Sequence, residues 1–135
     1  MEEPAGEYEF PEGLPAFEDE KRFRLSTPAS IRPLALLESA ATPGLRFVCI
    51  LVEWLVPGYQ LELNDAERVL LAGEDGVCCY ALITFPNQGA PTANLRSPVV
   101  LNPGTRRGIQ SIQSESRYGL FVPLRDEAPA EGPSC

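Results

Sequence analysis

The sequence predicts a mainly β fold: a small antiparallel β-barrel-like domain carrying one short α-helix. Three observations predict it. Several short apolar runs have strand character, prolines and glycines separate them (14 Pro and 11 Gly among 135 residues), and one stretch alone carries both helix-start and helix-stop signals. A chain of this length fits a single domain and buries about two thirds of the surface its unfolded form exposes. That domain is expected to span residues 1 to 124, with 125 to 135 a disordered acidic tail.

In chain order, "GEYEF" (Gly6 to Phe10) alternates weakly and "KRFRL" (Lys21 to Leu25) sets Phe23 and its neighbours on opposite faces. "IRPLALLE" (Ile31 to Glu38) and "LRFVCILVEWLV" (Leu45 to Val56) are apolar strand-like runs. Pro33 marks the former as an edge or bulged strand. The helix follows: Asn64 as N-cap with Glu67 three residues on forms a capping box, Ala66, Val69 and Leu70 share a face, and Gly73 supplies the stop. The remaining strands are "VCCYALITF" (Val77 to Phe85), "PVVLN" (Pro98 to Asn102), "GIQSIQ" (Gly108 to Gln113) and "RYGLFVPL" (Arg117 to Leu124). In "GIQSIQ" the three-residue spacing of Ile109 and Ile112 breaks alternation and calls for a bulge. In the last run Tyr118, Leu120, Val122 and Leu124 should share a face. The tail "RDEAPAEGPSC" has no apolar spacing with which to fold.

The net charge is -8, and the first twenty residues hold eight acids and no base. Five arginines stand between residues 92 and 125 against the single Glu115, so an acidic end and a basic patch are expected. Ten of the eleven cations are arginine, the residue suited to bidentate pairing with carboxylates at an interface, although genome base composition gives the same bias. An acidic whole argues against direct nucleic-acid binding. No run approaches ~20 apolar residues, so a soluble, cytoplasmic protein without membrane contact is expected.

The chain contains no histidine, which removes the commonest general base and any serine or cysteine triad. Carboxylate pairs such as Glu18 with Asp19, or Glu74 with Asp75, lie in loop-like clusters where solvated charge is the simpler reading. No glycine-rich phosphate loop opens a helix. The four cysteines, Cys49, Cys78, Cys79 and Cys135, have neither the spacing of a disulfide framework nor that of a zinc site, and read as buried or incidental thiols. The expectation is a monomeric binding protein, not an enzyme, with no cofactor and no metal.

The segment "PTANLRSPVVLNPGTRRG" (Pro91 to Gly108) crowds fixed-geometry residues around one apolar strand. Pro91, Pro98 and Pro103 fix torsions, while Asn94 and Asn102 hydrogen-bond locally and serve as turn formers or ligands. Of the neighbouring Arg106 and Arg107, one should turn inward onto a carboxylate or carbonyl and the other should face a partner. The candidate partner-binding residues are Asn94, Leu95, Arg96, Asn102, Arg106 and Arg107, joined by Phe17. Phe17 and Phe23 fit exposed contacts and fit a barrel lid equally well, whereas Trp54 reads as core or rim packing.

"TANLRSPVVLNPGTRRGIQ" (Thr92 to Gln110) resembles the C-terminal signature of the flagellar assembly factor family FliW. "FPEGLPAFEDEKRFRL" (Phe10 to Leu25) resembles its opening segment, "LRFVCI" (Leu45 to Ile50) its central strand and "ELNDAERVLL" (Glu62 to Leu71) its acidic helix. Order and spacing agree over about residues 7 to 124. The chain departs from the family pattern at Ala16, where a glycine is usual, and in having fewer residues before Phe10. The resemblance implies a barrel-like β fold and two competing partners: flagellin, held in the cytoplasm before export, and the translational repressor CsrA, bound when flagellin is absent. An alternative is a small barrel serving as an interaction subunit without a flagellar role. A metal or redox module built on Cys78 and Cys79 is a third reading.

Overall fold

A computed structural model describes residues 4–113 and 118–124. Its strands are β1 (Gly6–Glu9), β2 (Arg22–Ser26), β3 (Leu34–Ser39), β4 (Arg46–Leu51), β5 (Cys78–Thr84), β6 (Thr92–Asn102), β7 (Arg107–Gln110) and β8 (Val122–Pro123); its helices are α1 (Val52–Leu55) and α2 (Asp65–Leu71). The sheet runs β5-β4-β3-β2-β1-β7-β6-β8, and a further β5–β6 pairing closes the first seven strands into a ring. The expected barrel is therefore present, with one refinement. The β1–β7 seam is parallel (Glu9 opposite Arg107), so the barrel is mixed where an all-antiparallel one was expected.

The interior follows from two-residue periodicity. Tyr8, Phe23, Leu25, Ala35, Leu37, Cys49, Cys78, Tyr80, Val99 and Leu101 point inward, with Phe10 and Leu14 from the loop after β1 plugging one end. Phe10 and Phe23 meet edge to face with ring centroids 5.1 Å apart. Phe23 is fully buried, which removes the exposed-contact alternative for it and leaves packing within the barrel. The outer face is covered twice. Ile50, Ala81, Ala93 and Leu95 lie under α1, Tyr59 and the 118–124 segment, while Val100 and Ile109 lie under Leu71 of α2. Strands 4, 5 and 6 thus bury both faces, which is why their sequences read as continuous apolar runs.

Several boundaries differ from expectation for identifiable reasons. "LRFVCILVEWLV" leaves the strand at Val52 for a one-turn helix, because Val52 and Leu55, three apart, both reach the same core cluster. Pro33 precedes β3 and does not lie inside it, and β3 is paired on both edges, to β2 and β4. Strand β6 runs over eleven residues, through Pro98, since a bulge opposite Tyr80–Leu82 leaves no ladder bond for that proline to break. After Gln110 the chain leaves β7: Ser111 and Gln113 turn inward and Ile112 outward, 68% exposed. Of the last run, Tyr118, Val122 and Leu124 pack inward as expected, whereas Leu120 is exposed. Arg117 and the tail from Arg125 lie outside the described residues.

The capping box of α2 is present in full: Asn64 Oδ1 accepts from the Glu67 N–H at 2.8 Å and Glu67 Oε1 from the Asn64 N–H at 3.0 Å. The left-handed residue at its end is Ala72, and the Gly73 N–H returns to the Arg68 carbonyl. Its buried residue is Leu71; of the three residues expected to share a face, Ala66 and Val69 are exposed and Leu70 is half-buried. Cys49 and Cys79 are free thiols whose pKa values burial raises to about 12, which leaves them unreactive near neutrality. Cys78 is disulfide-bonded, so the reading of it as an incidental thiol is corrected.

Candidate partner-binding surface

The first half of β6 is a hydrogen-bonded bulge. Asn94 Oδ1 accepts from the N–H groups of Arg96 and Ser97 at 3.1 and 3.0 Å, an Asx turn that holds the strand open. Leu95 is buried; its N–H donates to the Gly119 carbonyl and its carbonyl accepts from the Tyr59 hydroxyl. Arg96, half-buried, donates through Nε to the Tyr118 carbonyl at 3.1 Å. Tyr118 in turn stacks on Tyr59 at 4.1 Å. Leu95 and Arg96 therefore pin the returning C-terminal segment against the outside of the barrel, and Asn94 shapes the bulge that presents them.

Asn102 works at the other end of β6, roughly 25 Å along the strand. Its side chain is buried and makes four bonds: Nδ2 donates to the carbonyls of Leu71 and Gly73 (3.2 and 3.1 Å), and Oδ1 accepts from the N–H groups of Gly104 and Thr105 (3.0 and 3.3 Å). One amide thereby caps the C-terminus of α2 and folds the β6–β7 turn. At that turn Arg106 adopts a left-handed backbone (φ 61°). Its Nη1 donates to the Ala5 carbonyl at 2.9 Å and its guanidinium lies 5.1 Å from the Tyr8 ring centroid. Burial raises the Tyr8 pKa and the adjacent Arg106 opposes that shift. Arg107 points outward, Nε 3.7 Å from Glu9 Oε1. Of the two arginines, then, Arg106 ties the turn to a carbonyl and Arg107 lies on the surface, although both are only half-buried.

Phe17 stands apart from these residues, in the loop between β1 and β2, 36% exposed and edge-on to Phe47 at 5.5 Å. The structure thus brings Arg106 and Arg107 together at the barrel seam, Asn94 to Arg96 at the far end of β6, and Phe17 over the barrel mouth. Leu95 and Asn102 have their side chains inside.

The charges are interleaved, not segregated. Across the outer face the register places Arg107 opposite Glu9 and Glu9 opposite Arg22, and beside that row Glu7, Arg24, Glu38 and Arg46 face one another in turn. Opposite charges on neighbouring strands support the sheet and neutralise one another. The unmatched acids gather elsewhere, on the loop after β1 (Glu12, Glu18, Asp19) and around α2 (Glu62, Glu67, Asp75). Glu20 in the same loop accepts from the Ser39 and Thr42 hydroxyls, which hold its pKa below the usual carboxylate value.

Between that loop and α2 lies a cleft of about 540 Å³, floored by Leu70 and Ile109 and rimmed by Glu12, Glu18, Lys21 and Glu67. None of these six was singled out as a binding candidate. Three of the four family-like segments nevertheless supply its walls, and that coincidence was the signal available. The loop wall is tightly built: a Cβ on Gly13 would come within 2.5 Å of the Phe17 carbonyl oxygen. Ala16 sits there at φ 71°, a conformation that costs a residue with a Cβ about 1–2 kcal/mol. Ala16→Gly is accordingly expected to stabilise the protein by about 0.5–1 kcal/mol after the entropy cost of glycine, read as a rise in the denaturant midpoint at unchanged slope.

Among the described residues no group of three or more His, Cys, Asp or Glu side chains is placed to hold a metal ion. No helix there is long and apolar enough to cross a membrane.

Comparison with known proteins is consistent along the whole described chain. A family model described as FliW protein matches residues 2–124. The flagellar assembly factor FliW of Symbiobacterium thermophilum is 36% identical over 131 residues, covering 92% of this chain and 95% of that protein. That of Geobacter sulfurreducens is 34% identical over 121 residues, covering 87% and 76%. A crystal structure of the flagellar assembly factor FliW superposes with a TM-score of 0.77 at 31% identity, covering 91% of this chain and 88% of the other.

Proposed function

The chain belongs to the FliW family of flagellar assembly factors, and from that premise we propose that it acts by exchanging protein partners: it binds flagellin in the cytoplasm and, once flagellin has left, binds and antagonises CsrA, relieving repression of flagellin translation. The observation that carries this reading is the family match over residues 2–124, which takes in both arginine-bearing and acidic signature segments. The supporting negative is chemical. The sequence has no histidine, and the free thiols Cys49 and Cys79 are held protonated by burial, so the protein is read as a binding protein and not an enzyme.

Antagonism of an RNA-binding protein fits a body of charge -8. A unit pair ~10 Å apart in water interacts by about 0.4 kcal/mol, and physiological salt reduces that about threefold. Several acids facing an RNA site contribute roughly 1 kcal/mol together, so repulsion supplements steric or conformational exclusion and does not replace it. Two ligands that compete for one protein are linked: each lowers the apparent affinity of the other. Titration of the protein with CsrA, repeated with saturating flagellin, is expected to show the CsrA isotherm displaced to higher concentration in proportion to flagellin. A stable ternary complex at stoichiometric concentrations would refute the exchange. Binding of neither protein would leave the alternative of an interaction subunit without a flagellar role.

A further inference from the structure

The geometry points to the cleft between the loop after β1 and helix α2 as a docking site for a basic protein segment, one that inserts a lysine or arginine side chain. The floor is apolar: Leu70 is half-buried on α2, and Ile109 of β7 is 6% exposed. The rim is acidic, with the carboxylates of Glu12, Glu18 and Glu67 against the single ammonium of Lys21, which itself donates to the Pro11 carbonyl at 3.2 Å. A long cationic side chain matches that combination, since its methylene stem covers apolar surface while its charged head stays at a polar edge. An anionic or purely aliphatic occupant matches only part of it.

Charge complementarity selects this occupant over others. Elsewhere on the outer sheet each acid stands opposite an arginine in register, whereas the rim of the cleft has a net charge of -2, from three carboxylates and one ammonium. The cleft is also preformed. Glu67 is held by the capping box of α2, and Glu18 Oε2 accepts from the Ala16 N–H at 3.0 Å, so two of the three carboxylates are already oriented. A preorganised rim reduces the ordering cost of binding. The inference concerns the chemistry of the cleft and stands whichever partner supplies the segment.

The test is a titration of the isotopically labelled protein with the peptide acetyl-Gly-Arg-Leu-Arg-Gly-amide, followed by amide chemical shifts. Saturable shifts are expected at Gly13, Leu70, Ile109 and Gln110. The variant E12Q/E18Q/E67Q, which keeps acceptor atoms for both local hydrogen bonds, is expected to bind at least tenfold more weakly. The variant E7Q/E38Q/D75N, with the same loss of charge outside the cleft, is expected to retain affinity within twofold. Equal weakening in both variants would reduce the binding to non-specific attraction by an acidic protein and overturn the proposal. So would equal affinity for acetyl-Gly-Gln-Leu-Gln-Gly-amide, which would make the cleft a generic apolar groove. Shifts of the same amides on raising protein concentration without peptide would assign the cleft to a second copy of the chain and also overturn it.

Discussion

Phe10→Ala is expected to destabilise the protein by about 3–5 kcal/mol, a large fraction of the stability of a domain this size. Phe10 is fully buried, packs edge to face on Phe23 and closes the end of the barrel beside Leu14. Its size is matched to an absence on the opposite strand. A Cβ on Gly108 of β7 would lie 2.6 Å from Phe10 Cζ and 2.9 Å from Leu101 Cδ2, closer than carbon atoms approach. The ring therefore occupies the space that glycine leaves, and it does so at the β1–β7 seam where the barrel closes. Gly108→Ala alone should cost about 1–3 kcal/mol through overpacking. In the Phe10→Leu background, where the ring tip is gone, the same change should cost distinctly less. Denaturant unfolding of the four proteins in a double-mutant cycle measures this coupling. Additive losses, with no coupling beyond about 0.5 kcal/mol, would show that the two residues do not share one space.

That pair illustrates which parts of the molecule its sequence discloses. Local devices were readable. Asn64 and Glu67 announced α2 because a capping box is completed within four residues, and the alternation of Phe23 and Leu25 announced β2 because the pleat alone sets it. Non-local devices were not. Val52 leaves its strand because a core cluster rewards a helical turn, and an apolar run that is buried on both faces has no period to reveal this. Pro98 signalled a strand start, yet the strand continues on both sides of it, since Asn94 builds the bulge that accommodates the proline. The parallel seam depends on Glu9 meeting Arg107, residues far apart in the chain.

The candidate site divides in the same way. Arg106 and Arg107 read as a pair with different roles on the premise of an extended segment, but Arg106 lies in the turn before β7 with a left-handed backbone, and that turn is what separates the two side chains. Which of them turned inward was decided by the carbonyl of Ala5 and the ring of Tyr8, from the opposite end of the sequence. The acidic cleft was unreadable as a unit. Glu12, Glu67 and Ile109 lie in three separate segments, and only the closed barrel brings α2 against the loop after β1.

Asn102→Ala is expected to cost about 2–4 kcal/mol, despite the removal of only a few atoms. The side-chain amide is the common partner of two carbonyls at the end of α2 and two N–H groups in the β6–β7 turn. Alanine supplies neither donor nor acceptor, and the Leu71 carbonyl then keeps a single side-chain partner, the Thr105 hydroxyl at 2.7 Å. The loss should be visible in space as well as in magnitude. Amide exchange should accelerate first in α2 and in residues 104 to 106, since both depend on this one group, while β2 to β4 should exchange as before until global unfolding. Asn102→Asp separates the two halves of the interaction: it keeps the acceptor toward Gly104 and Thr105 but turns an oxygen toward two carbonyls, and should protect the turn better than the helix end. Because Arg106 leaves this turn to reach Ala5, loosening it should also weaken the closure at β1. If Asn102→Ala unfolded at the wild-type midpoint with unchanged exchange in α2, the amide would not hold the helix to the turn. The "NPGTRR" geometry would then have to be explained by contacts with a partner.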